Sequence, residues 1–176
     1  MFHTDGQTFE STDYVKDFTK GGYAVTKFKN ITSTGAAGKD PAKDFPDTDL
    51  PLIRLAEVYL TYAEAVLRGG TGGDRATALG YINQLRTRAY GSAAGNIADA
   101  DLTLDFILDA RARELYWEGL RRTNLIRYGK FTGGSYLWSF KGGAASGVAV
   151  PDYRNLYPIP QDARTANDNL TQNTGY

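Results

Sequence analysis

Helical spacing of apolar residues is confined to the middle of this chain. From Pro51 to Leu67 the polar positions are few: Arg54, Glu57, Thr61 and Glu64, with Arg68 just beyond. They recur at intervals of 3, 4, 3 and 4 residues, which draws one narrow polar stripe on a helix. A helix that is apolar on every other side is expected to be buried over most of its circumference. Pro51 is acceptable in a first turn, where its missing N–H has no partner anyway. Asp49 suits the positive end of the helix dipole, and Gly69–Gly70 supply a stop. A second helix is predicted over Asp74 to Ala89, with Asp74 as N-cap, Gly91 as terminator, and Ala78, Ile82, Leu85 and Ala89 on one face. The short link makes these two helices antiparallel neighbours.

A third helix starts near Thr103 and places Leu104, Ile107, Leu108, Leu115 and Tyr116 on one side. Gly119 interrupts it, and a short fourth helix ends at Gly129. Two successive pairs of similar length predict helical hairpins of the tetratricopeptide kind, without that repeat's full consensus. Two pairs are fewer than such a stack usually needs, so loops or an upstream part must add stabilisation.

The flanks lack this periodicity. Residues 1–50 read as strand and loop: Gly21 to Ile31 alternates and is rich in β-branched and aromatic residues. The glycine- and proline-bearing stretch from Thr32 to Asp49 reads as an exposed connector. Residues 51–129 carry the hairpins, and residues 130–176 form an aromatic loop and an irregular tail. In that loop Tyr136, Trp138 and Phe140 alternate with Ser135, Leu137 and Ser139, so a strand would set three rings on one face.

Twenty basic and twenty acidic residues cancel, which removes any overall attraction for a polyanion such as nucleic acid. Without cysteine there is no disulfide, thiolate nucleophile or zinc–sulfur site. With His3 the sole histidine, in a terminus expected to fray, neither a Ser–His–Asp triad nor a multi-histidine metal centre can form from this chain. No stretch approaches the roughly 20 apolar residues of a membrane span, and the first residues lack the basic start and apolar run of a signal peptide.

The chemistry-bearing residues admit two readings each. Glu57, Glu64, Glu114 and Glu118 have the residue type of a glycosidase carboxylate pair. Arginines at 54, 68, 111, 113, 121 and 122 surround them, which favours structural ion pairs between helices. Arg121, Arg122 and Arg127 suit an anion, or pair with Glu114 and Glu118. Tyr136, Trp138 and Phe140 offer ring faces for sugars, or cover the scaffold. Asn167, Asn169, Gln172 and Asn173 in the tail read as a clasp of backbone groups. Asp162 and Asp168 are too few and too widely spaced for calcium, and no cofactor or metal is expected.

Four phrases, in order, are similar to the carboxy-terminal region of the SusD/RagB family. Arg54, Leu55, Ala56, Glu57, Tyr59, Tyr62, Ala63, Glu64 and Ala65 match its RLAEVYLxYAEA. Asn83, Arg86, Arg88 and Ala89 match N-x-x-R-x-R-A. Arg111, Glu114, Leu115, Glu118, Gly119, Arg121, Leu125, Arg127 and Gly129 match ERxxELxxEGxRxxDLxRWG, with Ala110, Asn124 and Tyr128 replacing the usual Glu, Asp and Trp. Pro158, Ile159, Pro160, Asn167, Leu170, Gln172, Asn173, Gly175 and Tyr176 match PIPxxExxxNPxLxQNPGY, with departures at Ala163, Asp168 and Thr174.

The resemblance implies a mainly α fold of tetratricopeptide-like hairpins with long covering loops and minor β structure. It also implies a carboxy-terminal segment of a longer lipoprotein, exposed at the bacterial outer-membrane surface. Such a protein binds glycans or other nutrients without enzymatic activity and passes them to a SusC-like TonB-dependent transporter. Tyr136, Trp138 and Phe140 are the ligand-contact candidates on this reading. The alternative is a helical-repeat scaffold that docks on the transporter or on an amino-terminal part. A hydrolase acting through Glu57, Glu64, Glu114 or Glu118 is a third hypothesis.

Overall fold

The computed structural model describes residues 2–3, 24–25, 27–39 and 45–176. The chain divides into two compact units, residues 1–52 and 53–176.

In the first unit, β1 (Phe2–His3) pairs antiparallel with β2 (Ala24–Val25), Phe2 opposite Val25 and His3 opposite Ala24. The backbone of His3 is therefore paired rather than frayed. Of the strand expected over Gly21 to Ile31, Ala24–Val25 is extended among the described residues, whereas residues 27 and 28 turn, with Phe28 at φ 61°. Residues 21–23 and 26 of that expectation lie outside the described residues, as do residues 40–44 of the connector. The described connector is exposed but tied. The Asn30 side-chain amide donates to Lys39 O (2.7 Å), and Lys39 N donates to the Asp47 carboxylate (2.8 Å).

The second unit is helical: α1 (Leu55–Leu67), α2 (Arg75–Tyr90), α3 (Leu104–Glu114), α4 (Arg121–Arg127) and α5 (Gln161–Ala166). Local capping chemistry fixes both ends of α2 and the start of α3. The Asp74 carboxylate accepts from Thr77 N at 2.8 Å, and Thr103 Oγ1 accepts from Phe106 N. Gly91 closes α2 at φ 68°, the left-handed conformation that a Cβ disfavours. Pro51 does not open α1. The helix starts four residues later, behind an extended Arg54 whose guanidinium is held by Glu114 and Glu118.

Helices α1 and α2 run antiparallel. Tyr62 Oη accepts from Asp74 N before α2, while Tyr59, earlier in α1, stacks on Tyr81, further along α2 (4.2 Å, 2° between planes). Leu60 and Ala63 of α1, Ala78 and Ile82 of α2, Leu102, Ile107 of α3 and Leu115 form the core. The second pair does not match the first in length: α3 has 11 residues and α4 only 7.

Two burial expectations fail. Only Ala56, Leu60, Ala63 and Glu64 of α1 are buried, whereas Leu55 and Val58 are exposed. Within this unit α1 meets α2 and α3, while Leu55, Val58, Thr61 and Ala65 along it are exposed. Ala89 and Tyr116 are likewise exposed, because α2 emerges from the core in its last turn and α3 ends before residue 116.

Past α4 the chain is held by polar clasps. Gln172 takes both backbone groups of Ile159, Oε1 accepting from N (2.8 Å) and Nε2 donating to O (3.0 Å). Asn173 Nδ2 donates to Tyr157 O, and Tyr176 Oη to Leu156 O. The tail is thus clasped by Asn167, Gln172 and Asn173 as expected, whereas Asn169 takes part through its backbone N–H, donated to Asn167 Oδ1, and the tail also contains α5. Among the described residues no helix is long and apolar enough to cross a membrane.

Candidate ligand-binding site

The loop after α4 is not a strand. Lys141 folds it: this residue is 2% exposed, and Nζ donates to Gly133 O (2.8 Å) and Tyr136 O (2.7 Å). Gly133 pairs with Val150 to close the loop's base. Gly147 is required where the chain returns, since it sits at φ 75° and a Cβ there would collide with the Trp138 carbonyl.

This folding brings Tyr136 and Trp138 together, ring centroids 6.1 Å apart, and adds Phe131 at 6.5 Å from Trp138. Lys141 Nζ lies 4.7 Å from the Trp138 ring centroid. Phe140 does not join them: it takes φ 66° and is 53% exposed. The three-ring face expected from alternation is thus replaced by Phe131, Tyr136 and Trp138.

Helix α4 supplies the other wall. Arg121 donates to Leu108 O (3.0 Å) and Tyr136 Oη (2.8 Å). Arg122 donates through Nη2 to Arg154 O (2.8 Å) and Asn155 O (3.1 Å), and lies 3.9 Å from the Tyr157 ring centroid. Arg121, Arg122, Leu125, Phe131, Tyr136 and Trp138 line a pocket of about 330 Å³. Sequence reasoning found Tyr136, Trp138 and the arginines, but not Phe131. The isolated Lys141 among glycines and aromatics was the available signal for a folded loop.

The acids are engaged in frame building. Glu64, 4% exposed, accepts from Arg127 Nε and Nη2 (both 2.8 Å) and from Arg68 Nε (3.0 Å). Burial opposes its charge, but the arginine hydrogen bonds prevail and hold its carboxyl below the usual range. Glu57 accepts from the buried Arg111 (3.3 Å). Burial and the neighbouring Arg127 charge lower the Arg111 pKa, with Glu64 and Glu57 opposing.

Glu114 and Glu118 do not pair with Arg121, Arg122 or Arg127. Arg54 holds both, and Arg88 also holds Glu114 (2.6 Å). The reason is local: α3 stops at Glu114, and a turn with Trp117 at φ 64° and Gly119 at φ 75° intervenes before α4. The two acids therefore do not share a helical face. This is an interhelical ion network of the kind expected for partly buried polar stripes.

Antiparallel helices braced by paired charges, with a loop-borne aromatic pocket at one end, define a tetratricopeptide-like helical protein. The sequence profile of the SusD family matches residues 7–176, and the chain belongs to that family. It is 44% identical over 165 residues to the starch-binding protein SusD of Bacteroides thetaiotaomicron, covering 94% of this chain and 28% of that protein. Surface glycan-binding protein A from Bacteroides thetaiotaomicron superposes with a TM-score of 0.66 at 30% identity, over 89% of this chain and 31% of that one. A SusD superfamily protein from Bacteroides vulgatus gives 0.58 at 34% identity, over 79% and 30% of the two chains. The chain thus spans less than a third of the length of these relatives.

Proposed function

We propose that this chain is the carboxy-terminal region of a non-enzymatic glycan-binding protein, and that its Tyr136–Trp138 pocket contacts the sugar. The observation that carries this reading is the pocket of about 330 Å³, in which three aromatic rings meet two guanidinium groups. Ring faces stack on the apolar C–H faces of pyranoses, and nitrogen donors read their hydroxyls. The starch-binding and glycan-binding relatives support the ligand class. Phe140 remains a contact candidate at the exposed rim of the same loop. On this reading the protein works at the outer-membrane surface as a lipoprotein and hands its ligand to a SusC-like TonB-dependent transporter, with no bond broken.

The test is isothermal titration of the full-length protein against plant, host and microbial oligosaccharides. Binding is expected for at least one class, with loss on Trp138→Ala or Tyr136→Ala while the circular dichroism spectrum is kept. No binding across the whole panel overturns the reading.

A second reading, a docking scaffold, is favoured by the bare side of α1. There Ile53, Val58, Tyr62 and Ala65 border an open groove of about 420 Å³, with Ile53 83% exposed. Unchanged glycan affinity in the two alanine variants would favour this scaffold role.

A further inference from the structure

The chain as a whole is neutral, but its charge is unevenly placed. Between Glu118 and Asp152 there is no acidic residue, while Arg121, Arg122, Arg127, Lys130 and Lys141 all fall there. Two of the five are neutralised from outside: Arg127 by Glu64 and Lys130 by Asp105. The other three have no carboxylate within ion-pair distance among the described residues. Arg121 bonds a carbonyl and a phenol, Arg122 two carbonyls, and Lys141 two carbonyls. Carbonyl and phenol oxygens satisfy N–H groups but bring no full negative charge. Three net positive charges therefore stand around one aromatic pocket, two in its wall and Lys141 beneath the Trp138 ring.

We propose that this pocket selects glycans carrying an anionic group, a uronate carboxylate or a sulfate ester, and that Arg122 is the residue that reads it. This inference rests on the glycan-binding reading and narrows its ligand class. Arg122 is the best placed of the three. Its backbone-carbonyl bonds use one nitrogen of a five-donor fork, and the Phe131 and Tyr157 rings hold the guanidinium plane, at 4.9 Å and 3.9 Å from their centroids. A planar fork with unspent donors matches a carboxylate or sulfate in two-point contact. Lys141 is buried and committed to the loop, so it contributes field rather than contact.

The experiment titrates the full-length protein with tetragalacturonate, with its carboxyl-reduced neutral counterpart, and with a sulfated tetrasaccharide, at low and at high sodium chloride. At least one acidic probe is expected to bind about tenfold more tightly than the neutral one, with the advantage shrinking as salt screens it. The acidic probe that wins distinguishes uronate from sulfate. Arg122→Gln is expected to erase the preference while sparing residual neutral binding, and Arg122→Lys to keep part of it. Because Arg122 also ties α4 to residues 154 and 155, a second readout uses the unmodified protein. Acidic ligand should protect the Arg121–Arg122 peptide from phenylglyoxal labelling, measured by mass spectrometry. Equal affinity for acidic and neutral probes overturns the anion inference and leaves glycan binding standing. A preference that survives Arg122→Gln, or leaves that peptide unprotected, overturns the assignment to this pocket. Failure of every probe and every panel glycan removes the underlying reading itself.

Discussion

Glu64 on α1 and Arg127 on α4 are joined by two parallel hydrogen bonds of 2.8 Å, a fork that ties the first helix to the last helix of the hairpin region. Folding holds the Glu64 carboxyl below its ordinary pKa, so the pair stabilises the protein fully above the unfolded-state value of about 4.3. That contribution is lost as pH falls through the lower folded-state value. Glu64→Gln is expected to cost about 1–3 kcal/mol at pH 7, with the gap to the parent closing in acid. Melting curves from pH 7 to pH 3 test this, and a gap that stays constant across that range would contradict it.

Asn124 stands at the aspartate position of the family phrase that this chain resembles. It is 2% exposed, and its side-chain oxygen accepts from both Arg111 Nε and Arg127 Nη2 at 3.0 Å. Asn124→Asp adds a negative charge between two guanidiniums, one of them buried. The expected result is a gain of about 1 kcal/mol at pH 7, or a rise in Tm of roughly 2–4 °C, absent once the carboxyl is protonated. A lower Tm at pH 7 would show that the burial cost of the new charge prevails.

Tyr128 presents a buried hydroxyl near Glu64 without a hydrogen bond of good geometry. Burial, reinforced by the Glu64 charge, pushes its pKa up to about 12. Removing the hydroxyl removes an unpaid desolvation cost and keeps the ring against Arg68, 4.6 Å from the ring centroid. Tyr128→Phe should therefore be neutral or stabilising by up to about 1 kcal/mol. A clear loss of stability in chemical denaturation would mean that the hydroxyl bonds Glu64 after all.

Gln172 satisfies both backbone groups of Ile159 and so pins the tail. Gln172→Leu keeps the volume and loses both bonds. Local opening should become easier by about 1–2 kcal/mol, roughly a tenfold faster amide exchange at Ile159. Unchanged exchange there would assign the tail's order to other contacts.

Leu60 is fully buried among Ala63, Ile82 and Ile107. Leu60→Ala is expected to cost about 2–5 kcal/mol through lost burial and a residual cavity, read from urea unfolding midpoints. A smaller cost would mean that the core between α1, α2 and α3 collapses to fill the space.

The ends at Asp74, Gly91, Thr103 and Gly129 were legible because a cap or a left-handed glycine acts within one turn of its own position, whereas α3 stops at Glu114, five residues before the glycine expected to interrupt it. Tyr136 and Trp138 were legible as residue types, but their arrangement was not. It depends on Lys141 reaching back five and eight residues to carbonyl groups, a contact that no periodicity encodes. The start of α1 escaped prediction for the same reason, since Arg54 is held by acids sixty residues away.

By itself, the sequence determined the helical class, most helix ends, the clasping role of the tail amides and the likeness to its family, because these rest on local chemistry and ordered spacing. Only the tertiary structure decided which arginine meets which acid, that Phe131 rather than Phe140 completes the ring cluster, and which side of α1 is covered. Those outcomes depend on which groups distant in the chain come within a few ångströms, and a charge or a ring carries no mark in the sequence of the partner it will meet.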